Sequence, residues 1–442
     1  MKSNQIVLSA LVASMVALTG CGGGGGGAAA LPADTATTST CTTVGSITSS
    51  GSTLLGKEEV VLRGCLDESL ASALTLDKNK IYAIDGEVSV RGTTITIPAG
   101  TTLFGKTGQS YLAIDQGAKI IANGTEAEPI VFTAASDVDG SPLPATSQGQ
   151  WGGLSIFGKA TSNKGIETYE AGDHTFGCDD STITCNDADN SGSLSYIVIK
   201  YSGFEVEVNK ELNGLSLGGV GSGTSIDHIA VIGSLDDGIE VWGGTVAMTN
   251  LYMYNNADDN LDWDHGWTGS ATNIYIEQNI VDGTGSRGFE TDNNGGSTTK
   301  EVALPISNPT IDQFTIVTAA AGGQGIVHRE GTAGQLSNGI IITNNAGKAN
   351  IELRSATTVT NGLAYSGEMV LSQAAGLHYK GAAENTADNI FGDVTDTQVL
   401  DIVDTFGATV TYDAAGTALS TLKANATTAG ADVTAMPTWA TN

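Results

Sequence analysis

The chain is short of positive charge. It carries 19 Lys and Arg against 48 Asp and Glu, a formal net charge of −29 over 442 residues. Nucleic acid is bound through a Lys/Arg footprint on the phosphates, and an anionic lipid surface attracts the same side chains, so neither suits the folded body as a partner. Charge of either sign is scarce: 15 % of residues, below the ~25 % of an average soluble domain. The acidity therefore reflects missing bases more than surplus acids. Proline is limited to 8 residues, and helical periodicity is weak except over 397–406. No apolar run reaches the ~18 residues of a membrane-spanning helix. The five histidines (His174, His228, His265, His328, His378) have no zinc spacing with Cys or Glu, and neither a phosphate-binding glycine loop nor a Ser/His/Asp nucleophile arrangement can be drawn. What is abundant is glycine, 59 residues, together with a 40 % hydrophobic content that suffices for a core.

The first residues carry an address. Lys2, the apolar run from Ile6 to Leu18 and the small residues before Cys21 have the layout of a secretory signal over 1–20. Leu18-Thr19-Gly20-Cys21 resembles a bacterial lipobox, which implies that Cys21 is acylated, with palmitate-type chains, as the first residue of the mature protein. Gly22 to Gly27 opens a flexible tether over 21–40. Gly22 stands where enterobacterial lipoproteins held at the inner membrane carry Asp, so the resemblance implies an outer-membrane anchor, facing the cell surface. Setting Cys21 aside leaves Cys41, Cys65, Cys178 and Cys185, and an oxidising compartment permits two disulfides. Three connectivities are open; the local one, Cys41–Cys65 and Cys178–Cys185, closes the shortest loops and is expected.

A repeat of about 23 residues organises the body. One series places Asp227, Asn250 and Asn273 at intervals of 23, with Asn338 and Asn361 again 23 apart and Asp312 on a rung with an inserted loop. A second series reads Gly214-Leu215-Ser216-Leu217, Gly238-Ile239-Glu240-Val241, Asn260-Leu261-Asp262-Trp263, Gly288-Phe289-Glu290-Thr291, Gly325-Ile326-Val327-His328 and Asn350-Ile351-Glu352-Leu353. Each is a turn former followed by apolar, outward, apolar, the period of a half-buried strand. Two short strands per repeat, many times over, make a coiled parallel sheet in which every coil buries its face on its neighbours. The sequence therefore predicts an all-β solenoid over 76–378, an N-terminal cap over 41–75 and a C-terminal cap over 379–442, each covering an open sheet edge.

Several blocks resemble known rungs. Ile97-Pro98-Ala99-Gly100-Thr101-Thr102-Leu103-Phe104-Gly105, Gly117-Ala118-Lys119-Ile120-Ile121, Gln150-Trp151-Gly152-Gly153-Leu154 and Asp236-Asp237-Gly238-Ile239-Glu240-Val241-Trp242-Gly243-Gly244 are similar to bacterial surface lipoproteins built on a right-handed parallel β-helix of pectin-lyase-like type. The resemblance spans roughly residues 80–300 and implies fold and location; most of that family has no assigned activity, so it says little of function.

The outward positions of the second series are acidic. Glu240, Asp262 and Glu290 occupy one position on successive rungs, with Asp264 and Asp292 two residues on and Asp236, Asp237, Asp258 and Asp259 beside them. Rungs lie ~4.8 Å apart. Two unit charges at that distance repel by about 0.9 kcal/mol in water and about 3.5 kcal/mol at an effective dielectric of 20. Such a wall calls for a cation, and Ca²⁺, which takes six to eight oxygens, suits Asp237, Glu240, Asp262, Asp264, Glu290 and Asp292. The plain alternative is a solvated acidic face with an Asp292–Arg329 ion pair. A second Ca²⁺ position is expected at Asp187, Asp189 and Ser191, spaced like the first half of a calcium loop, with Asp179 and Asp180 completing the shell.

Two functions fit. The first is a lipid-anchored binding protein that presents the acidic, Ca²⁺-supported face to an extracellular glycan, an outer-membrane protein or a transporter. The second is a carbohydrate-active enzyme, with Asp258, Asp259, Asp262, Asp264 and His265 as acid, base or nucleophile and Trp242 and Trp267 as sugar platforms. These letters resemble those of β-helix polygalacturonases, but here they crowd one rung, and a basic substrate-binding pair is not evident.

Overall fold

Alternation of apolar and polar residues drives the chain into strands, and glycine, asparagine and aspartate turn it back. The computed structural model describes residues 41–140, 143–144, 146–208, 210–279, 286–373, 378–381, 409–413 and 419–441. The predicted signal, tether, Cys21 and helix over 397–406 lie outside the described residues. Ala36–Asn442 forms one compact unit. Among the described residues, no helix is long and apolar enough to cross a membrane.

Strands pair in parallel with the strand one turn earlier, so the predicted parallel β-helix is the observed fold. A typical turn runs through Ile239–Trp242 and then Ala247–Tyr254, pairing onto Leu261–Asp264 and Ser270–Glu277. The long strand is really two. In the early turns its halves are separate: Lys119–Asn123 and Ile130–Ala134 pair with the two halves of Gly192–Lys200. The result is three stacks of strands around a core of inward side chains such as Leu215, Ile239, Leu261, Trp263, Phe289 and Ile326.

The two halves meet at a left-handed residue. Tyr196, His228, Asn250, Asn273, Gln313 and Asn338 all have φ between 48° and 59°. Pairing of Asp227 with Thr249 puts His228, not Asp227, level with Asn250, so the predicted ladder is one residue out of register on its first rung, and Asp312 is displaced likewise. Asparagine suits the bend because its short amide tolerates the left-handed region and bonds locally. Asn273 Nδ2 donates to Asn250 Oδ1 at 2.6 Å, and Asn273 Oδ1 accepts from Asp432 N at 2.7 Å. Asn273→Ala loses both bonds and strains the bend, and is expected to lower stability by about 2 kcal/mol in urea unfolding. A change below about 0.5 kcal/mol would show that the ladder carries no weight.

Both ends differ from expectation. Lys57–Leu66 already pairs in parallel with Lys80–Val90, so the solenoid begins inside the predicted N-terminal cap. Capping falls to Ser46–Leu54, which folds back antiparallel on that first rung, where Cys41–Cys65 pins it. Beyond 378, Tyr379–Gly381 and Thr409–Asp413 still add parallel rungs. Residues 419–441 are not an end cap but a strap running back along the outside. Gly430 N donates to Asn338 O, Ala431 N to Thr315 Oγ1 and Asp432 N to Asn273 Oδ1. Trp439 then packs on Tyr196, His228 and Tyr252. The strap lacks the strand period, which is why nothing in its pattern located it.

Candidate functional site

On the stack holding Ile239–Trp242 the outward positions form a column: Ala113, Ser155, Ser216, Glu240, Asp262, Glu290. A loop between rungs covers its first half. The hairpin Ile166–Thr168 with Thr175–Gly177 lays Tyr169 over the sheet, its hydroxyl bonded to Ser155 and Ser216 at 2.9 and 3.1 Å. The expected disulfide Cys178–Cys185 closes the end of the same loop. The acids begin where this roof ends.

The turn before each outer strand is stacked as well. Asn213 Oδ1 accepts from Asp237 N, Asp237 Oδ1 from Asp259 N, and Asp259 Oδ1 from Arg287 N. Gly238 permits the close stacking, because a Cβ there would meet Asn256 Nδ2 and Asn260 O at 2.6 Å. This turn ladder swings Asp237 against the column. Ligand oxygens of Asp237, Glu240 and Asp262 lie within 4.8 Å of one another, and those of Asp236, Asp237 and Asp258 form an adjoining set. Asn213 Nδ2 donates to Glu240 Oε2 at 2.6 Å, whereas Asp262 Oδ1 is buried with no hydrogen-bond partner. Burial first, and then the neighbouring carboxylates, raise the pKa of Asp236, Asp237, Glu240 and Asp262 well above the usual range. Asp236 and Asp258, expected beside the wall but not among its ligands, join the set because the turns that carry them stack on successive rungs.

The rest of the predicted wall is neutralised by cations. Glu290 Oε1 lies 2.7 Å from Arg287 and 2.9 Å from Arg329. Asp292 pairs with Arg329 at 2.8 Å, the predicted ion pair. Asp264 Oδ2 lies 2.8 Å from His265 Nε2, which also contacts the Lys164 ammonium, and Glu167 Oε2 from the roof loop lies 2.8 Å from Nδ1. Burial opposes charge on His265, but these two carboxylates outweigh it and push its pKa up to about 9. Asp259 is buried against Arg287 at 3.0 Å, and Asp258 accepts from Ser286 N. The five predicted catalytic residues are thus neighbours, but only Asp262 lacks a partner for an oxygen among the atoms described.

The family model described as a pectate-lyase like beta helix domain matches residues 68–442. The chain belongs to the pectate-lyase-like β-helix family. No curated protein and no solved structure matches it. The pectate-lyase-like match agrees with the parallel stacks and leaves the chemistry of the acidic column to be argued from this chain's own residues.

The remaining predicted positions depart from expectation. Trp267 is fully buried, edge-on to Trp263, with Nε1 bonded to Val246 O, so it presents no face to a sugar. Trp242 is 8 % exposed beneath Tyr169 and Phe176. Both are packing residues because the roof loop and the next rung cover them. The predicted calcium loop spends its oxygens locally. Asp179 accepts from the backbone N–H of Ser181 and Thr182, Asp180 from Cys185 N, Asp187 from Thr161, and Asp189 from the Ser191 hydroxyl. Among the described residues these carboxylates are not one of the convergent sets. His328 is an interior residue bonded to Thr291 and Tyr365 at 2.7 and 2.6 Å, and burial pulls its pKa down to about 3.

The roof loop also brings together residues that sequence reasoning missed. His174 is fully buried, with Nδ1 2.6 Å from Asp115 Oδ1 and Nε2 3.2 Å from the Tyr111 hydroxyl. No repeat or motif links positions 87, 115 and 174, because the intervening segments differ in length.

Proposed function

We propose that this pectate-lyase-like β-helix is a lipid-anchored outer-membrane surface protein that binds its ligand along the acidic column, with Ca²⁺ held by Asp237, Glu240 and Asp262. The supporting observation is the Asp262 carboxylate, one oxygen of which is buried without a partner while two further carboxylates converge on the same point. Burying an unpaired carboxylate is costly unless a proton or a cation joins it. All-oxygen donors of this charge favour a hard, flexibly coordinated ion, which is the chemistry Ca²⁺ supplies. A calcium-bridged face matches an anionic glycan or an acidic protein partner despite the net charge of −29.

The test is Asp262→Asn, which keeps size and removes charge. The unsubstituted protein should gain several degrees in melting temperature with millimolar Ca²⁺, and the variant should gain almost nothing. Equal gains in both would overturn the assignment.

A carbohydrate-active enzyme is the alternative, favoured by the raised carboxyl pKa values at an outer face. Hydrolysis by a pair among Asp237, Glu240 and Asp262 fits that chemistry better than β-elimination. Arg287 and Arg329 are clamped by carboxylates that raise their pKa in spite of burial, so neither serves as a proton-abstracting base. New reducing ends from polysaccharides, lost in Asp262→Asn, would favour the enzyme.

A further inference from the structure

Four rungs before the first acid of the column, on the same stack, the first outer strands and the roof loop enclose a different set of donors. Glu87 lies on Lys80–Val90, level with Tyr111 on the next rung. Asp173 and His174 come down from the hairpin turn of the roof loop. Ligand atoms of Glu87, Asp173 and His174 all lie within 4.8 Å of one another.

We propose that Glu87, Asp173 and His174 bind a borderline divalent cation of the zinc class. The geometry around the imidazole supports this in three respects. His174 is fully buried, and its Nδ1 is engaged at 2.6 Å by Asp115 Oδ1, which leaves Nε2 directed at Glu87. A carboxylate on one ring nitrogen fixes the orientation of the other toward a metal, the usual outer partner of a ligating histidine. Asp115 is itself held, since Arg91 Nε donates to its second oxygen and the same guanidinium reaches Asp173. One arginine thus positions both the orienting carboxylate and a ligand.

The separations also suit a small ion. His174 Nε2 lies 3.4 Å from Glu87 Oε1. Ligand atoms ~2.1 Å from a tetrahedral zinc stand roughly 3.4 Å apart. The Tyr111 hydroxyl, 3.2 Å from Nε2, borders the same point. On the side of Glu87, the one ligand that faces it, lies a cavity of about 370 Å³ lined also by Tyr111, Glu170 and Gly172. That space accommodates water or a ligand atom in the remaining coordination position, the arrangement of an open rather than a closed site.

The donor set separates this site from the acidic column. One imidazole with two carboxylates suits zinc-class ions, whereas carboxylates alone suit Ca²⁺. The two assignments are independent, and either stands without the other.

The purified, untagged full-length protein, stripped with chelator, is titrated with ZnCl₂ and with CoCl₂ and assayed by elemental mass spectrometry and visible absorption. One equivalent of zinc and a cobalt d–d band are expected. Glu87→Gln and Asp173→Asn, whose side chains are 40 % and 74 % exposed and so leave folding intact, should each weaken binding by about a hundredfold. His174→Gln should abolish the band, and Asp262→Asn should leave it unchanged. Absence of stoichiometric metal in the unsubstituted protein, or binding that survives Glu87→Gln and His174→Gln alike, would overturn the site.

Discussion

Arg287→Ala is expected to destabilise the protein by about 3–5 kcal/mol, read as a lower urea midpoint. Arg287 Nη1 bridges Asp259 Oδ2 at 3.0 Å and Glu290 Oε1 at 2.7 Å. The side chains of Asp259 and Glu290 are 2 % and 9 % exposed, so little water is available to replace the guanidinium. Removing it strands one charge on each of two adjacent rungs, and the loss is the cost of that burial more than the worth of the pair. Arg329 still reaches Glu290 at 2.9 Å, which leaves Asp259 as the main casualty. Arg287→Ala with Asp259→Asn should therefore recover a large share of the loss, whereas Arg287→Lys, with one point charge for two acceptors, should recover less. A single substitution costing under 1 kcal/mol would mean that the carboxylates pick up protons freely. The rung stack would then be less closed than its geometry implies.

The same rung shows what the sequence could and could not reveal. Glu240, Asp262 and Glu290 were legible as a column because the strands that carry them alternate cleanly and each follows a turn-forming Gly or Asn. Which of them is free was not legible. The Asp292–Arg329 pair was legible, but Arg287 is an ordinary surface letter in the linear pattern, and only the pairing of Glu290 with Val327 shows that Arg329 reaches Glu290 as well. The tryptophans misled for a related reason: Trp242 occupies an outward position, but a loop inserted nearly seventy residues earlier lays Phe176 and Tyr169 over it. The one-residue slip at Asp227 has a local cause. A left-handed residue at the bend adds no side-chain period, so Asp and Asn look interchangeable until backbone φ separates them. The His174 cluster and the strap share the deepest difficulty: both join segments whose lengths do not repeat, and a periodic pattern carries no information about them.

Without metal, the protein is expected to lose stability as pH rises from 6.5 to 8.5, and Ca²⁺ is expected to flatten the profile. Asp237, Glu240 and Asp262 have folded pKa values raised by burial and by one another, against about 4 in the unfolded chain. The folded state therefore retains protons that the unfolded state has released. Stability falls with pH wherever the native state binds more protons. Each proton so retained contributes a slope of about 1.4 kcal/mol per pH unit. Asp236 and Glu170, whose charges also raise Glu240, shift in the same direction. His174 and His265, with folded pKa values of about 9, add to the fall, because their stabilisation is complete below the unfolded value near 6.5 and is lost through 9. His328 works in the opposite sense, but only below about 6.5, which sets the lower limit of the comparison. Arg287 and Arg329 stay charged throughout. Ca²⁺ at a hundredfold excess over its Kd adds about 2.7 kcal/mol, and its contribution grows at the alkaline end, where it no longer competes with protons. The histidines are separated from the acids by substitution. Glu240→Gln with Asp262→Asn should shrink the metal-free slope and remove the Ca²⁺ response, while leaving the part owed to the histidines and to the remaining buried carboxyls, among them Asp292, which burial pushes up to about 8. A metal-free profile that is flat or rises over this window would mean that the carboxylates are ionised and solvated, and the column would then have no need of an ion.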